Sequence, residues 1–99
     1  MEYIALKNFL ETYYHQDTWE DFGTNLEVWD NALKLQTNDH LLKLKNEIDG
    51  LLKQNVDEIL KYFKDVDPES LHMETGEEYK LWLSEFSDYL RRKISTNTN

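Results

Sequence analysis

The sequence contains no cysteine, one proline and three glycines among 99 residues. The absence of cysteine excludes disulfide bonds, thiolate catalysis and cysteine-ligated zinc, and it is consistent with a reducing cytoplasm. The scarcity of proline and glycine leaves few chain breaks, which favours helices joined by short connections. No stretch approaches the roughly 18 consecutive apolar residues of a membrane span, and no signal peptide pattern is present. We therefore expect a protein that does not span a membrane.

Basic residues are also scarce, since eleven lysines and arginines face twenty aspartates and glutamates, for a formal net charge of −9. The acids are concentrated in two blocks: residues 1–30 hold seven acids against one lysine, and residues 65–90 hold eight against one lysine. Such a charge repels nucleic acid and anionic lipid and attracts basic partners. The simpler interpretation is that the acids only keep the protein soluble, and composition leaves both interpretations open.

Aromatic residues, by contrast, make up 13% of the chain, with three Trp, six Tyr and four Phe. Side chains of this size bury much apolar area each, so we expect a folded domain rather than a disordered acidic tail. A chain of 99 residues fits one domain. We assign that domain to residues 1–94 and expect the polar segment 95–99 to fray.

Apolar residues recur at the spacing of a helical face along most of the chain, which predicts an all-α fold. The expected architecture is a compact bundle of about five helices with two longer loops, at residues 15–23 and 65–76. The first helix is expected over about residues 3–14. No segment alternates apolar and polar residues for long enough to predict a strand.

Capping boxes mark three helix starts, because a Thr or Asn is followed three residues later by a Glu. The pairs are Thr24 with Glu27, Asn55 with Glu58, and Thr75 with Glu78, at the starts of the second, fourth and fifth helices. The second helix is expected to end near Gln36, and residues 37–39 separate it from the third. Gly50 lies within the third helix and could also mark an early end of it.

One local motif is distinctive: Phe9-x-x-x-Tyr13-Tyr14-His15-Gln16-Asp17-x-Trp19. It resembles the opening motif of a family of immunity proteins from bacterial contact-dependent growth inhibition (CDI) systems, in which an aromatic pair leads into His-Gln-Asp and a tryptophan. In this chain Thr18 separates the aspartate from the tryptophan. The segment Leu26-Glu27-Val28, the Leu-rich third helix and Tyr79-x-x-Trp82-Leu83 are also similar to that family in order and spacing, so the resemblance covers about residues 3–94.

The resemblance implies a small cytoplasmic protein without catalytic residues or a cofactor. Such a protein would bind and neutralise the cognate C-terminal toxin domain of an effector that a neighbouring cell delivers. Many of these toxins are nucleases, and binding would block the toxin's active site or its approach to substrate. The oligomeric state stays open.

His15 and Asp17 allow several interpretations. They could form a base–carboxylate pair, hold a metal, contact a partner, or order the end of the first helix, where a histidine favours the helix dipole and an aspartate caps the following loop. A third metal ligand at suitable spacing is lacking, since His40 and His72 are each alone in their segments. No nucleophile elbow and no glycine-rich phosphate loop occurs. We therefore predict a binding protein and not an enzyme, with neither metal nor cofactor.

Both predicted loops combine acids with apolar residues, which is the composition of many protein-binding surfaces. Trp19 could contact a partner or plug the core, and Leu71 could be exposed beside Met73 or fold back into the core. Leu81 falls off the apolar face of its helix and could be an exposed anchor, although single exposed leucines are common. We predict that the partner contacts are Asp17, Trp19, Glu20, Asp21, Asp67, Glu69 and Glu74.

The sequence thus predicts an immunity protein that binds a basic toxin domain and contacts neither nucleic acid nor membrane. An acidic adaptor or nucleic-acid mimic that binds some other basic protein is the alternative, because composition does not separate the two.

Overall fold

The structure, a computed structural model, describes residues 3–97, apart from the side chains of Trp19 and Asn97. Within that part of the chain the five predicted helices are present, no strand occurs, and a further helix of four residues is added. In chain order the helices are α1 (Ile4–Tyr13), α2 (Thr18–Asp21), α3 (Asn25–Leu33), α4 (Asn38–Leu52), α5 (Val56–Val66) and α6 (Gly76–Asn97). The predicted all-α bundle is therefore confirmed.

The three capping boxes form as the sequence predicts. In each, the Thr or Asn side-chain oxygen accepts a hydrogen bond from the backbone amide of the Glu three residues later, at 2.9–3.2 Å. Thr37 adds a fourth cap, because its hydroxyl accepts from the amide of His40 at 3.2 Å. These bonds satisfy amides that the first turn of a helix leaves without an intrahelical acceptor, so the helix starts are encoded locally.

The prediction of a loop over residues 15–23 is wrong for its central part, where α2 forms. The Asp17 carbonyl accepts from the amides three and four residues later, each at 3.1 Å. Thr18 is buried, and its hydroxyl donates to the Tyr13 carbonyl at 2.7 Å, which holds the turn against the end of α1. A helix this short has no apolar period, so the sequence pattern could not reveal it.

Other helix bounds differ by a few residues. The helix expected to reach Gln36 ends at Leu33, because the chain turns at Lys34 before the Thr37 cap begins the next helix. Gly50 does not end α4, which continues to Leu52. Residues 95–97 of the expected polar tail continue α6, while Thr98 and Asn99 lie outside the described residues.

The apolar faces of the helices meet in one core whose centre is aromatic. The Trp82 indole packs edge-on against the rings of Tyr14, Trp29 and Phe63, with centroids 5.6–6.1 Å apart. The helix α6 packs against α4 and α5, and α1 packs against the same two helices. Leu71, from the segment before α6, is also buried. The interpretation that Leu71 folds back into the core is therefore confirmed, and the interpretation that it is exposed is not.

A polar link inside this core fixes the end of α1. The Asn25 side-chain oxygen accepts from the Tyr14 hydroxyl at 2.6 Å and from the Trp82 indole N–H at 3.2 Å. Asn25, the first residue of α3, is thereby joined to Tyr14 after the end of α1 and to Trp82 in α6. Burial raises the pKa of the Tyr14 phenol well above its ordinary value.

Candidate functional site

The C-terminal ends of α1 and α5 border one surface cleft of about 220 Å³. From α1 and the turn after it come Glu11, Tyr14 and His15, and from the end of α5 and the following segment come Val66, Asp67, Pro68 and Glu69. The two groups are more than 50 positions apart in the sequence, so tertiary packing creates the cleft. We call it the α1–α5 cleft.

The segment that forms one side of the cleft is anchored at several points. The Ser70 amide donates to the Tyr14 carbonyl at 3.3 Å, which joins this segment directly to the end of α1. Further along, the buried Tyr79 hydroxyl donates to the Leu71 carbonyl at 3.3 Å and accepts from the Met73 amide at 2.9 Å. Residues 67–75 are thus a loop that hydrogen bonds hold against the end of α1 and against α6, and residues 67–69 of this loop line the cleft.

The electrostatics of the cleft favour a cation. Glu11, Asp67 and Glu69 contribute three carboxylates, and no lysine or arginine is among the described residues that line it. Each of the two helix C-termini adds a partial negative charge of roughly half an elementary charge. Lys7 lies 3.8 Å from Glu11, but both side chains are more than half exposed, and such pairs contribute little. The cleft therefore suits a lysine or arginine side chain.

Asp67 is held in an unusual backbone conformation at the rim of the cleft. It ends α5 with φ 52° and ψ 59°, in the left-handed region, and its amide donates to the Phe63 carbonyl at 2.8 Å. Aspartate tolerates this region better than most residues. Its carboxylate lies 3.9 Å from the His72 ring, and it is largely exposed, so it remains accessible to a partner.

The predicted contact residues fall into separate groups. Asp67 and Glu69 are exposed and line the α1–α5 cleft. Glu11, which is not among the predicted contacts, lines it with them. Asp17, Glu20 and Asp21 are exposed on and just before α2, directly after His15, but they do not line the cleft. Glu74 is exposed before α6. The side chain of Trp19 lies outside the described part of the chain.

Glu11 carries a weak signal in the sequence. It lies four residues before His15 and three before Tyr14, so a helix that continued to this point would bring the three side chains to one face. The opposing carboxylates of the α5–α6 segment carry no such signal, because their proximity to α1 depends on the packing of α5.

His15 takes part in local structure. Its Nδ1 atom accepts a hydrogen bond from the Asp17 backbone amide at 3.1 Å. The bond joins the ring to the backbone of Asp17 rather than to its carboxylate, and it orders the turn between α1 and α2. Among residues 3–97, no group of three His, Asp or Glu side chains could hold a metal ion.

The comparison with known families identifies the chain. The model of the CdiI immunity protein family matches residues 2–90. The chain belongs to the CdiI immunity protein family. As a CdiI immunity protein it is of the toxin-neutralising class, whose members are typically not enzymes. No significant match to a curated protein or to a solved structure accompanies this family match.

The family match agrees with the motif that begins at Phe9, since that motif lies within the matched residues. In this CdiI immunity protein the motif spans the end of α1, the turn and the start of α2, so it builds one side of the α1–α5 cleft. Within the part of the chain that the structure describes, no helix is long and apolar enough to cross a membrane.

Proposed function

We propose that this CdiI immunity protein acts in the cytoplasm by binding the cognate C-terminal toxin domain of a CDI effector, and that this domain is basic and is a nuclease. The observation that carries the proposal is the α1–α5 cleft, where the carboxylates of Glu11, Asp67 and Glu69 meet two helix C-termini. A basic side chain of the toxin would enter this cleft. Binding would neutralise the toxin without bond-making chemistry by the immunity protein.

Further exposed acidic residues lie close in the chain to the residues that line the cleft. Asp17, Glu20 and Asp21 on and before α2 are exposed and follow the cleft residue His15 in the chain, and Glu74 is exposed in the loop that begins with the cleft residues Asp67 and Glu69. Acidic surfaces of this kind accelerate encounter with a basic partner and disfavour acidic ones, including nucleic acid. We retain these four acids and Trp19, together with Asp67 and Glu69, as proposed contacts.

The first test is protection. The probe is the C-terminal domain of the CDI effector that we expect in the reading frame immediately upstream, and this domain is expressed with and without this protein in the same cells. We expect that the domain alone stops growth, that co-expression restores it, and that the two purified proteins form a complex. A toxic domain that this protein neither binds nor neutralises would overturn the proposal.

The second test locates the contact by charge. A cleft variant carries Glu11→Gln, Asp67→Asn and Glu69→Gln, and its matched control carries Asp39→Asn, Asp57→Asn and Asp88→Asn, which are exposed acids away from the cleft. Both variants lose three negative charges, so the attraction of the whole protein for a basic toxin domain decreases by the same amount in both. We expect the cleft variant to bind the toxin domain about tenfold or more weakly and with less salt dependence than the control. Equal affinities would show that the cleft is not the contact.

A further inference from the structure

A second concave surface lies on the outer side of α6 and is separate from the α1–α5 cleft. It is a groove of about 190 Å³ lined by Asn25, Met73, Glu78, Leu81, Trp82 and Glu85. We call it the Leu81 groove. Its volume is below that of ordinary small-molecule sites and matches a single inserted side chain.

The groove has an apolar wall that the fold leaves uncovered. Leu81 is 62% exposed, although Trp82 and Leu83, which follow it in α6, are buried in the core. A lone exposed leucine needs no explanation. Here, however, it lines the same depression as the half-buried Met73 and the buried Trp82, so three apolar side chains contribute to one groove.

The groove is also preformed. Its Trp82 indole is held by the hydrogen bond to Asn25 at 3.2 Å, and the backbone at Met73 is held by the Tyr79 hydroxyl at 2.9 Å. Both anchors belong to the core, so binding would not have to order them. A surface organised in advance loses less entropy on association, which favours its use as a docking site.

The charges at the rim specify the occupant. Glu78 and Glu85 lie three residues before and four residues after Leu81, so all three share one face of α6. Among the described residues, neither carboxylate takes part in an ion pair. An apolar side chain with lysine or arginine neighbours would fill the groove and pair with both rim carboxylates. A second copy of this chain is a poorer occupant, because two chains that each carry a net charge of −9 repel each other.

We infer that the Leu81 groove is a second docking point for the toxin domain, which inserts an apolar side chain flanked by basic residues. This inference rests on the proposed function. It adds an apolar anchor to an interaction that the α1–α5 cleft makes by charge, and a few well-buried anchor residues supply most of the affinity in protein interfaces.

The test uses the full chain and the C-terminal domain of the upstream effector in titration calorimetry. The variants are Leu81→Lys, Leu81→Ala and the pair Glu78→Gln with Glu85→Gln. The matched control is Leu35→Lys, since Leu35 is a leucine with 89% exposure that lies outside the groove. Helical circular dichroism and thermal melting confirm that each variant is folded, which we expect because all four positions are exposed.

We expect Leu81→Lys to weaken binding about tenfold or more, Leu81→Ala to weaken it by a smaller factor, and the double Gln variant to reduce its salt dependence. Leu35→Lys should bind like the wild type. If both Leu81 variants bound the domain with wild-type affinity, the inference that the Leu81 groove is a docking point would be overturned, while the proposed function would stand. A wild-type protein that does not bind the domain would overturn both. A wild-type dimer that Leu81→Lys dissociates would assign the groove to a second copy and overturn the inference.

Discussion

The Glu47 carboxylate on α4 accepts a hydrogen bond at 3.1 Å from the backbone amide of Leu6, in the first turn of α1. Both residues are buried. The residue before α1, Tyr3, makes no side-chain capping bond, so a neighbouring helix provides the cap that α1 lacks. The negative charge also complements the positive end of the α1 dipole.

Glu47→Ala should therefore destabilise the protein. The variant leaves the buried Leu6 amide without its acceptor, which costs about 1–3 kcal/mol. Glu47→Gln keeps an oxygen acceptor and should lose less. Urea unfolding followed by circular dichroism measures both, and a Glu47→Ala protein as stable as the wild type would show that this cap contributes nothing.

Gly76→Ala should also destabilise the protein, although alanine is the better helix former by about 1 kcal/mol. A Cβ atom at Gly76 would clash with the Val56 carbonyl oxygen and lie 3.0 Å from the Val56 Cβ, so the starts of α5 and α6 would have to separate. Overpacking of this kind costs about 1–3 kcal/mol. Neither the backbone angle of Gly76 nor that of Gly23 is in the left-handed region.

Gly23→Ala is the matched control for that change. A Cβ atom at Gly23 would meet only the Glu27 carboxylate, at 3.7 Å, which is ordinary contact. We expect this variant to melt at the wild-type temperature or slightly above it. A Gly76→Ala protein that melts as high as Gly23→Ala would contradict the close packing of α6 on Val56.

Asn25→Ala should lower the free energy of unfolding by about 2 kcal/mol, because it removes the shared acceptor of the Tyr14 hydroxyl and the Trp82 indole. Asn31→Ala is the control, since Asn31 is exposed on the same helix. Chemical unfolding compares the two. Equal stabilities would mean that the two hydrogen bonds to Asn25 do not contribute to the fold.

Asp49 makes a pH-dependent contribution to the stability of the protein. Its carboxylate accepts from the Ser87 hydroxyl and from the Lys45 ammonium, each at 2.6 Å, and so joins α4 to α6. Burial acts to raise the pKa of Asp49, but these two hydrogen bonds and the charges of Lys45 and Lys53 outweigh it and lower the pKa below its ordinary value. A lowered folded-state pKa stabilises the protein above the unfolded pKa of about 3.9, and this stabilisation is lost as the pH falls through the folded pKa.

Asp49→Asn should therefore reduce stability by about 1 kcal/mol at pH 7, a small value because the Asp49 side chain is 35% exposed. The difference from the wild type should begin to shrink as the pH falls below about 4, and it should disappear once the pH is below the lowered folded-state pKa. Urea unfolding at a series of pH values measures it. Asp88→Asn, on the exposed surface, should track the wild type at every pH, and a pH-independent loss in Asp49→Asn would contradict the assigned cause.

The sequence anticipated most of the helices because their determinants are local. Thr24, Asn55 and Thr75 cap amides only three residues away, and the apolar faces of the helices follow a short period that can be read without knowing what they pack against. The motif from Phe9 to Trp19 is also local, because it spans eleven consecutive residues. The match to the CdiI immunity protein family confirms the resemblance that this motif carried.

The candidate site was anticipated in part. Asp67 and Glu69 were predicted as contacts from the composition of their segment, and the structure places them in the α1–α5 cleft. Glu11 was missed, because it is an ordinary exposed acid until α5 is packed beside it. The helical turn of α2 was missed because the burial of Thr18, and not a periodic pattern, stabilises it.

The sequence by itself therefore determined the helical class, three helix starts and the family, since caps, apolar periods and motifs act over a few residues. Only the tertiary structure decided that Glu47 caps α1 from 41 residues away, that Gly76 must lack a side chain beside Val56, and that carboxylates from two distant segments share one cleft. Each of these depends on how the helices pack. Packing brings together residues that are far apart in the sequence, and the sequence pattern around them does not indicate that they are in contact.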